Sequence, residues 1–174
     1  MTLSELFALL DGLAAAPSED AVGLSELDHG LQCAFELSRR RPTDVELHVA
    51  GLVHDVGHQF GADDAHARLG ADAVRPLLGD RVAALVDSHV LAKRYLVATD
   101  PAYSGLLSTV STESLAVQGG PLTDGPAAAF RASPWFEDAL ELRRADDASK
   151  VPGRSVPSLD HWAPAVRAVA HVGA

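Results

Sequence analysis

The stretch "GLVHDVGHQF" at residues 51–60 places two ionisable side chains, His54 and Asp55, in the middle of an apolar run. In a helix through this stretch, Leu47, Ala50 and His54 have i, i+3 and i+7 spacing and lie on one face. The imidazole therefore points into the interior with the leucine. Because burying an ionisable group without a partner costs several kcal/mol, the stretch predicts that His54 and Asp55 meet other polar groups or a metal ion.

Two later segments repeat this mixture of apolar and ionisable residues on one helical face. In the first, His89 follows Leu85 at i+4, and Lys93 lies one turn further along the same face. In the second, Asp146 lies on an apolar face, and Arg143 lies one turn before it. The groups are therefore expected to meet one another or a metal in the interior.

The histidines and aspartates occur in an order that predicts a metal centre. Taken singly, each histidine could be a core residue with a satisfied hydrogen bond, and each aspartate could be part of a surface ion pair. As a set, imidazole nitrogens and carboxylate oxygens suit Fe, Mn or Zn. Asp55 is the candidate for a bridge between two ions, because its neighbour His54 reaches the same centre. The candidate ligands are His29, His54, Asp55, His66, His89 and Asp146.

Apolar residues recur with helical periodicity along the chain, and no two segments alternate in a way that would let them pair as strands. The predicted fold is therefore all-α. Thr43 and Glu46 have the spacing of a capping box, which predicts the start of the third helix, and Gly57 is expected to end it. The predicted helices span 3–15, 25–40, 43–57, 64–77, 80–97, 134–148 and 157–171, and residues 117–126 are predicted to form a loop.

The composition excludes several classes of function. The formal net charge is −10, which disfavours nucleic-acid binding because that needs a basic face. No apolar run reaches the roughly 18 residues needed to cross a bilayer. Cys33 is the one cysteine, so no internal disulfide can form and a cytoplasmic location is expected.

The 174 residues suit a single domain over 1–174, with a core over about 24–165 and an N-terminal helix and connection over 1–23.

Further motifs surround the candidate ligands. They read "LDHGLQCA" (27–34), "HARLGAD" (66–72), "HVLAKRYLV" (89–97), "QGGPL" (118–122) and "KVPG" (150–153). The H…HD…D order of the ligands, with two further histidines before the last aspartate, resembles the two-metal branch of the HD-domain superfamily. With the surrounding motifs, residues 24–165 resemble the PhnZ-type mixed-valent di-iron oxygenases. The resemblance implies an HD-domain helical bundle with a dinuclear metal site in its centre.

The resemblance also implies a reaction and roles for individual residues. Enzymes of this type hold an Fe(II)/Fe(III) pair, use O2 to cleave the C–P bond of a 1-hydroxyalkylphosphonate, and release inorganic phosphate. The first iron would be held by His29, His54, Asp55 and Asp146. The second would be held by His66 and His89, with Asp55 as the bridge. The substrate phosphonate, a small anion, would be bound by His58, Lys93, Ser111 and Arg143.

One part of the family pattern is missing. Members that act on 2-amino-1-hydroxyethylphosphonate carry a Tyr and a Glu shortly before the first ligand, and the Glu recognises the substrate amine. An ungapped alignment from His29 places Glu19 and Val22 at those positions. A substrate without the amine, such as hydroxymethylphosphonate, is therefore expected.

Two other functions use the same ligands. The first is a dinuclear phosphohydrolase that acts on a phosphate monoester or a nucleotide, with a bridging hydroxide as the nucleophile. The second is a non-catalytic HD module that senses a phosphonate or a nucleotide, and the intact set of six ligands argues against it. The stretches "HVLAKRYLV" and "QGGPL" favour the oxygenase over the phosphohydrolase.

Overall fold

Helices make up the regular secondary structure of the described chain. The computed structural model describes residues 1–18, 21–61 and 65–171. Within these ranges there are eight α-helices, two short 3-10 helices and no strand, which confirms the predicted all-α fold. The α-helices are α1 (Leu3–Leu13), α2 (Glu26–Arg40), α3 (Val45–Val53), α4 (His66–Thr99), α5 (Thr109–Val117), α6 (Asp124–Arg131), α7 (Phe136–Asp147) and α8 (Leu159–Val169). The 3-10 helices are Val56–Gln59 and Tyr103–Leu106.

Helix α3 lies at the centre of the bundle and packs against α2, α4, α7 and α8. Each of α2, α3, α4 and α7 contributes a fully buried leucine to the shared core, namely Leu37, Leu47, Leu85 and Leu142. This apolar packing sets the relative positions of the four helices, since burial of a leucine side chain stabilises the fold by roughly 1.5–3 kcal/mol. The polar residues on their inner faces are thereby brought to one place.

The start of α3 differs by one residue from the sequence prediction. Asp44, not Thr43, is the N-cap, and its side chain accepts a hydrogen bond of 3.2 Å from the Leu47 amide. Arg81 of α4 donates to both oxygens of Asp44, at 2.6 and 2.7 Å, and to Asp138 of α7 at 2.8 Å. The capping aspartate is therefore also an ion-pair partner that joins α3 to α4 and α7.

The end of α3 comes earlier than predicted, at Val53, and Gly57 lies in the 3-10 helix that follows. A Cβ atom at Gly57 would lie 1.8 Å from the backbone oxygen of His66, the first residue of α4. Only glycine therefore allows the 3-10 helix to pack this closely against the start of α4. The close approach brings Asp55 near the histidine that begins α4.

Helix α4 contains the break that the sequence predicted between residues 77 and 80. Gly79 has a φ of +83°, outside the helical region, so two helical segments meet at a kink. The backbone oxygen of Leu77, near the kink, accepts a hydrogen bond of 2.7 Å from the amide of His171. Although α4 is long, no helix in the described ranges combines the length and the apolar character that crossing a membrane requires.

Two helices were not predicted. Helix α5 is capped by Ser108, which accepts a hydrogen bond of 3.0 Å from the amide of Ser111, and α6 begins at Asp124 inside the segment predicted as a loop. Only residues 118–123 of that loop lie outside helices. Helix α5 is rich in Ser and Thr and has no clear apolar stripe, so the periodic signal that revealed the predicted helices is absent from it.

Candidate metal centre

Six ionisable side chains from four parts of the fold converge in the interior. His29 comes from α2, His54 and Asp55 directly follow α3, His66 and His89 come from α4, and Asp146 comes from α7. The four histidines and Asp146 are at most 3 % exposed. The structure therefore brings together all six of the residues that the sequence singled out as candidate metal ligands.

Asp55 lies between two groups of imidazoles. Its Oδ2 atom is 3.0 Å from Nε2 of His54 and 3.4 Å from Nε2 of His29. Its Oδ1 atom is 3.4 Å from Nε2 of His89 and 3.6 Å from Nε2 of His66. Each oxygen thus faces its own pair of nitrogens, which is the arrangement expected of a carboxylate shared by two cations.

Asp146 completes the group around Oδ2 of Asp55. Its Oδ1 atom lies 3.3 Å from Nε2 of His29, and its Oδ2 atom lies 3.9 Å from Nε2 of His54. On the other side, the Nε2 atoms of His66 and His89 are 2.9 Å apart. Two clusters of donor atoms therefore lie side by side, and Asp55 belongs to both.

The imidazole rings are oriented by their second nitrogens. Nδ1 of His29 lies 3.1 Å from the Ser149 carbonyl oxygen, Nδ1 of His54 lies 2.9 Å from that of Gly51, and Nδ1 of His89 lies 2.6 Å from that of Val86. A carbonyl oxygen can only accept, so Nδ1 carries the proton in each of these rings. When such a ring is neutral, its Nε2 lone pair is left for a cation.

The Nε2 atoms of His29 and His54 are buried and have no hydrogen-bond partner among the described residues. An orphaned acceptor in a protein interior costs about 1–3 kcal/mol, so an unfilled role is expected for both atoms. One ligand atom each from His29, His54 and Asp55 lie within 4.8 Å of one another, as do those of Asp55, His58 and His66. The donor set and its spacing fit two metal ions.

The local charges keep both carboxylates ionised. Burial alone would raise the pKa of the Asp55 carboxyl, but the imidazoles of His54 and His29 outweigh burial and hold that pKa well below its usual range. Burial likewise opposes ionisation of Asp146, yet Arg143 and Lys150 hold its pKa well below the ordinary value. Two ionised carboxylates therefore lie in the interior, where a bound cation would stabilise them.

A cavity of about 570 Å³ opens beside the cluster and reaches Asp55, His66, His89 and Asp146. Its wall also contains the four residues that the family resemblance associated with the substrate, which are His58, Lys93, Ser111 and Arg143. The cavity size is within the range of small-molecule sites. All four of these side chains are therefore placed where they could contact a bound molecule.

The cationic wall of the cavity includes one residue to which sequence reasoning assigned no role, Lys150. Its Nζ atom donates a hydrogen bond of 2.9 Å to Oγ of Ser111 and lies 3.6 Å from Oδ1 of Asp146. One turn further along α5, Nζ of Lys93 donates to Oγ of Ser114 at 2.7 Å. Lys150 lies four residues after Asp146 in the "KVPG" stretch, and that spacing was the available signal. Two ammonium groups thus line the cavity.

His58 and Glu26 line another part of the cavity. The ring of His58 stacks on that of His66 with 4.0 Å between the centroids, and its Nε2 atom lies 3.9 Å from Oδ1 of Asp55. Glu26, in the first turn of α2, is partly buried, and burial followed by the charge of Asp55 raises its pKa. Glu26 was not predicted, and it places an acidic group on the cavity.

Glu19 and Val22 occupy the positions that carry Tyr and Glu in amine-specific family members. The side chain of Val22 is fully exposed, so it does not face the cavity. Glu19 lies outside the described residues.

The fold and the cluster together define a class of protein: an α-helical protein whose buried histidines and aspartates form two donor groups suited to metal ions, beside a cavity lined by Lys93, Arg143 and Lys150. No family profile matches the chain. The chain is 34 % identical over 171 residues to a hydroxymethylphosphonate dioxygenase of Gimesia maris, covering 92 % of this chain and 84 % of the relative.

Two other relatives extend the comparison. A [1-hydroxy-2-(trimethylamino)ethyl]phosphonate dioxygenase (glycine-betaine-forming) of Leisingera caerulea is 33 % identical, covering 84 % of this chain and 81 % of the relative. The uncharacterized protein L432 of Acanthamoeba polyphaga mimivirus is 28 % identical, covering 82 % of this chain and 71 % of the relative. The chain belongs to the PhnZ-type phosphonate dioxygenases of the HD-domain superfamily, which confirms the resemblance found in the sequence.

Proposed function

We propose that the protein is a di-iron dioxygenase that uses O2 to cleave the C–P bond of a 1-hydroxyalkylphosphonate and releases inorganic phosphate. The observation that carries the proposal is the sharing of Asp55 by two groups of donor atoms directly beside a cavity with two lysines. Relatives at 33–34 % identity named as phosphonate dioxygenases support the reaction class.

The proposed ligand sets follow the two faces of Asp55. The first ion is held by His29, His54, Asp55 and Asp146, and the second by Asp55, His66 and His89. Iron bound in these sets supplies one-electron chemistry toward O2. A mixed-valent Fe(II)/Fe(III) pair has an odd number of electrons, so electron paramagnetic resonance of the aerobically prepared protein tests this oxidation state directly.

The side chains of the cavity bind and orient the substrate. Lys93 and Lys150 provide positive charge for the phosphonate, and Ser111 provides a hydroxyl beside Lys150. Arg143 adds planar hydrogen-bond donors next to Asp146. With the phosphonate held there, C1 and its hydroxyl lie toward Asp55 and the imidazoles. Positioning of this kind lowers the barrier by fixing the reacting atoms relative to one another.

Hydroxymethylphosphonate is the first candidate substrate. One molecule of its dianion and one O2 give one formate, one hydrogen phosphate and one proton, so the C–P bond breaks, a P–O bond forms and O2 is fully reduced. The hydroxymethylphosphonate dioxygenase of Gimesia maris supports this substrate. The valine at position 22, where amine-specific family members carry a glutamate, supports it as well.

Glu26 favours a second candidate, a 1-hydroxyalkylphosphonate with a cationic group at C2. Its carboxylate lies on the cavity near Asp55 and His58, whereas Arg143 and Lys150 lie beside Asp146. A zwitterionic substrate could place its phosphonate beside Arg143 and Lys150 and its cationic group beside Glu26. The name of the relative from Leisingera caerulea includes a trimethylamino group, which is a cation of this kind.

The test is aerobic incubation of the iron-loaded protein with a panel of hydroxyphosphonates that carry or lack an amine. Phosphorus NMR measures phosphate release, and an oxygen electrode measures O2 uptake. One O2 consumed per phosphate released is expected. Phosphate release from a phosphate monoester or a nucleotide without O2 uptake would instead identify a phosphohydrolase, and binding without turnover would identify a sensor.

A further inference from the structure

We propose that Tyr103 and Asp147 are positioning residues that hold the guanidinium of Arg143 so that its terminal nitrogens face the bound phosphonate. The inference rests on the proposed function, because it assigns Arg143 to the anion site. Neither Tyr103 nor Asp147 lines the cavity, so both would act on the substrate only through Arg143.

Tyr103, Asp147 and Arg143 form a closed set of hydrogen bonds. Nε of Arg143 donates to the Tyr103 hydroxyl at 2.9 Å and to Oδ2 of Asp147 at 3.1 Å, and its Nη2 atom donates to Oδ1 of Asp147. The Tyr103 hydroxyl donates to Oδ2 of Asp147 at 2.6 Å. Arg143 and Tyr103 are 3 % and 6 % exposed, so water does not compete strongly for these bonds.

The remaining donors of Arg143 are limited by this arrangement. Its Nη1 atom donates to Oδ2 of Asp146 at 2.7 Å. A guanidinium has five N–H bonds. With one each from Nε, Nη1 and Nη2 in use, one N–H on Nη1 and one on Nη2 have no partner among the described residues. These two bonds form the part of the planar group that can serve a ligand in the cavity that Arg143 lines.

The charges around Arg143 make its orientation matter more than its charge. Asp146 and Asp147 both pair with it, so two carboxylates offset its positive charge. Lys93 and Lys150 also line the cavity, and Arg143 contributes hydrogen bonds in fixed directions. A small rotation of the guanidinium would misalign those bonds without changing the charge of the site, and Tyr103 and Asp147 restrict that rotation.

Tyr103 lies in the 3-10 helix that follows α4, and Asp147 lies at the end of α7. The set could therefore be only a brace between these segments. The two roles differ in one measurable way: a brace affects stability alone, whereas a positioning role changes anion binding and does so only while Arg143 is present.

The experiment is a double-mutant cycle of Tyr103→Phe and Arg143→Lys. The readout is the dissociation constant of inorganic phosphate on the metal-loaded protein, measured by calorimetry or by phosphorus NMR titration. Tyr103→Phe removes the hydroxyl and keeps the ring and the net charge. The matched control is Tyr95→Phe, whose ring packs against Phe130 and Phe136. Melting temperatures show that all variants are folded at the temperature of the titration.

Tyr103→Phe is expected to weaken phosphate binding about fivefold in the natural background, and by less than about twofold in the Arg143→Lys background. Tyr95→Phe is expected to leave the dissociation constant unchanged. Asp147→Asn provides a second cycle, and its effect on phosphate binding must also depend on Arg143. An equal effect of Tyr103→Phe in both backgrounds, or a lower melting temperature with unchanged phosphate binding, would overturn the proposal.

Phosphate binding is measured without turnover, so the two proposals can fail separately. Phosphate binding with the expected coupling, but no O2-dependent cleavage of any phosphonate, would reject the proposed reaction and keep the positioning role. Phosphonate cleavage without coupling would keep the reaction and reject the positioning role.

Discussion

Replacing Asp55 with asparagine removes the one charge that both groups of donor atoms share. The Oδ2 atom lies 3.0 Å from Nε2 of His54, and the Oδ1 atom lies 3.4 Å from Nε2 of His89. Asparagine keeps the size of the side chain and one of its two oxygens, but it presents an NH2 group to one of the two pairs of imidazole nitrogens. That NH2 group cannot bind a metal, although it can donate to an imidazole. The metal-free variant is therefore expected to fold, and to bind one ion at most.

The expected magnitude follows from linkage between binding and folding. An ion present at 100 times its dissociation constant stabilises the folded state by about 2.7 kcal/mol. In a domain of this size, 1 kcal/mol shifts the melting temperature by about 2–4 °C, so each ion is worth about 5–11 °C. Both groups of donor atoms include Asp55, so Asp55→Asn should abolish the rise in melting temperature that comes from at least one of the two ions.

The assay is anaerobic titration with Fe(II), with iron per chain measured chemically and the melting temperature measured by calorimetry. The wild type is expected to bind two irons and Asp55→Asn one or none, with a correspondingly smaller thermal shift. Asp72→Asn, which changes an exposed carboxylate on α4, is the control and should behave as the wild type does. Two irons per chain and a full thermal shift in Asp55→Asn would refute a bridging role for this carboxylate.

Four further perturbations test other parts of the structure. Arg81→Ala should lower the free energy of unfolding by about 1–2 kcal/mol in urea denaturation, because partly buried ion pairs that join three helices are lost. Hydrogen bonds from Arg81 outweigh burial and lower the pKa of Asp44, so its stabilising contribution is full above its unfolded pKa of about 3.9 and is lost as the pH falls through the lower folded pKa. The difference in unfolding free energy between wild type and Asp44→Asn should therefore shrink in acid, and a constant difference would contradict this reasoning. Lys150→Met should weaken phosphate binding about tenfold while iron per chain stays at the wild-type value, since the lysine lines the proposed anion site and is not a proposed metal ligand. Glu26→Gln should reduce kcat/KM for an amine-bearing hydroxyphosphonate relative to hydroxymethylphosphonate, and equal effects on both substrates would remove Glu26 from substrate selection.

Much of the fold was predictable because helical periodicity is a local property. The inward placement of His54, His89 and Asp146 follows from their i+3, i+4 and i+7 neighbours, and the structure buries His54 and His89 as expected. The break near Gly79 was also predictable from the residues around it. Helix α5 was not, since its Ser- and Thr-rich sequence has no apolar stripe to reveal it.

The candidate ligands were found by their order along the chain, and their roles as metal ligands stay predictions. Lys150 was missed because it follows the end of α7, so its spacing of four residues from Asp146 was a weaker signal than the same spacing inside a helix. Glu26 was missed because a glutamate in the first turn of a helix is ordinarily explained by the helix dipole. The contact of Tyr103 with Asp147 joins residues 44 positions apart, and no local pattern indicates it.

The sequence by itself determined that the chain is helical, which faces are apolar, and which histidines and aspartates share those faces. These properties depend on neighbours within two turns of a helix. Only the tertiary structure decided that Asp55 turns one oxygen to each pair of imidazoles, that two lysines line one cavity, and that Tyr103 reaches Arg143. The physical reason is that these contacts depend on how the helices pack, and packing is set by the shapes of many distant side chains at once.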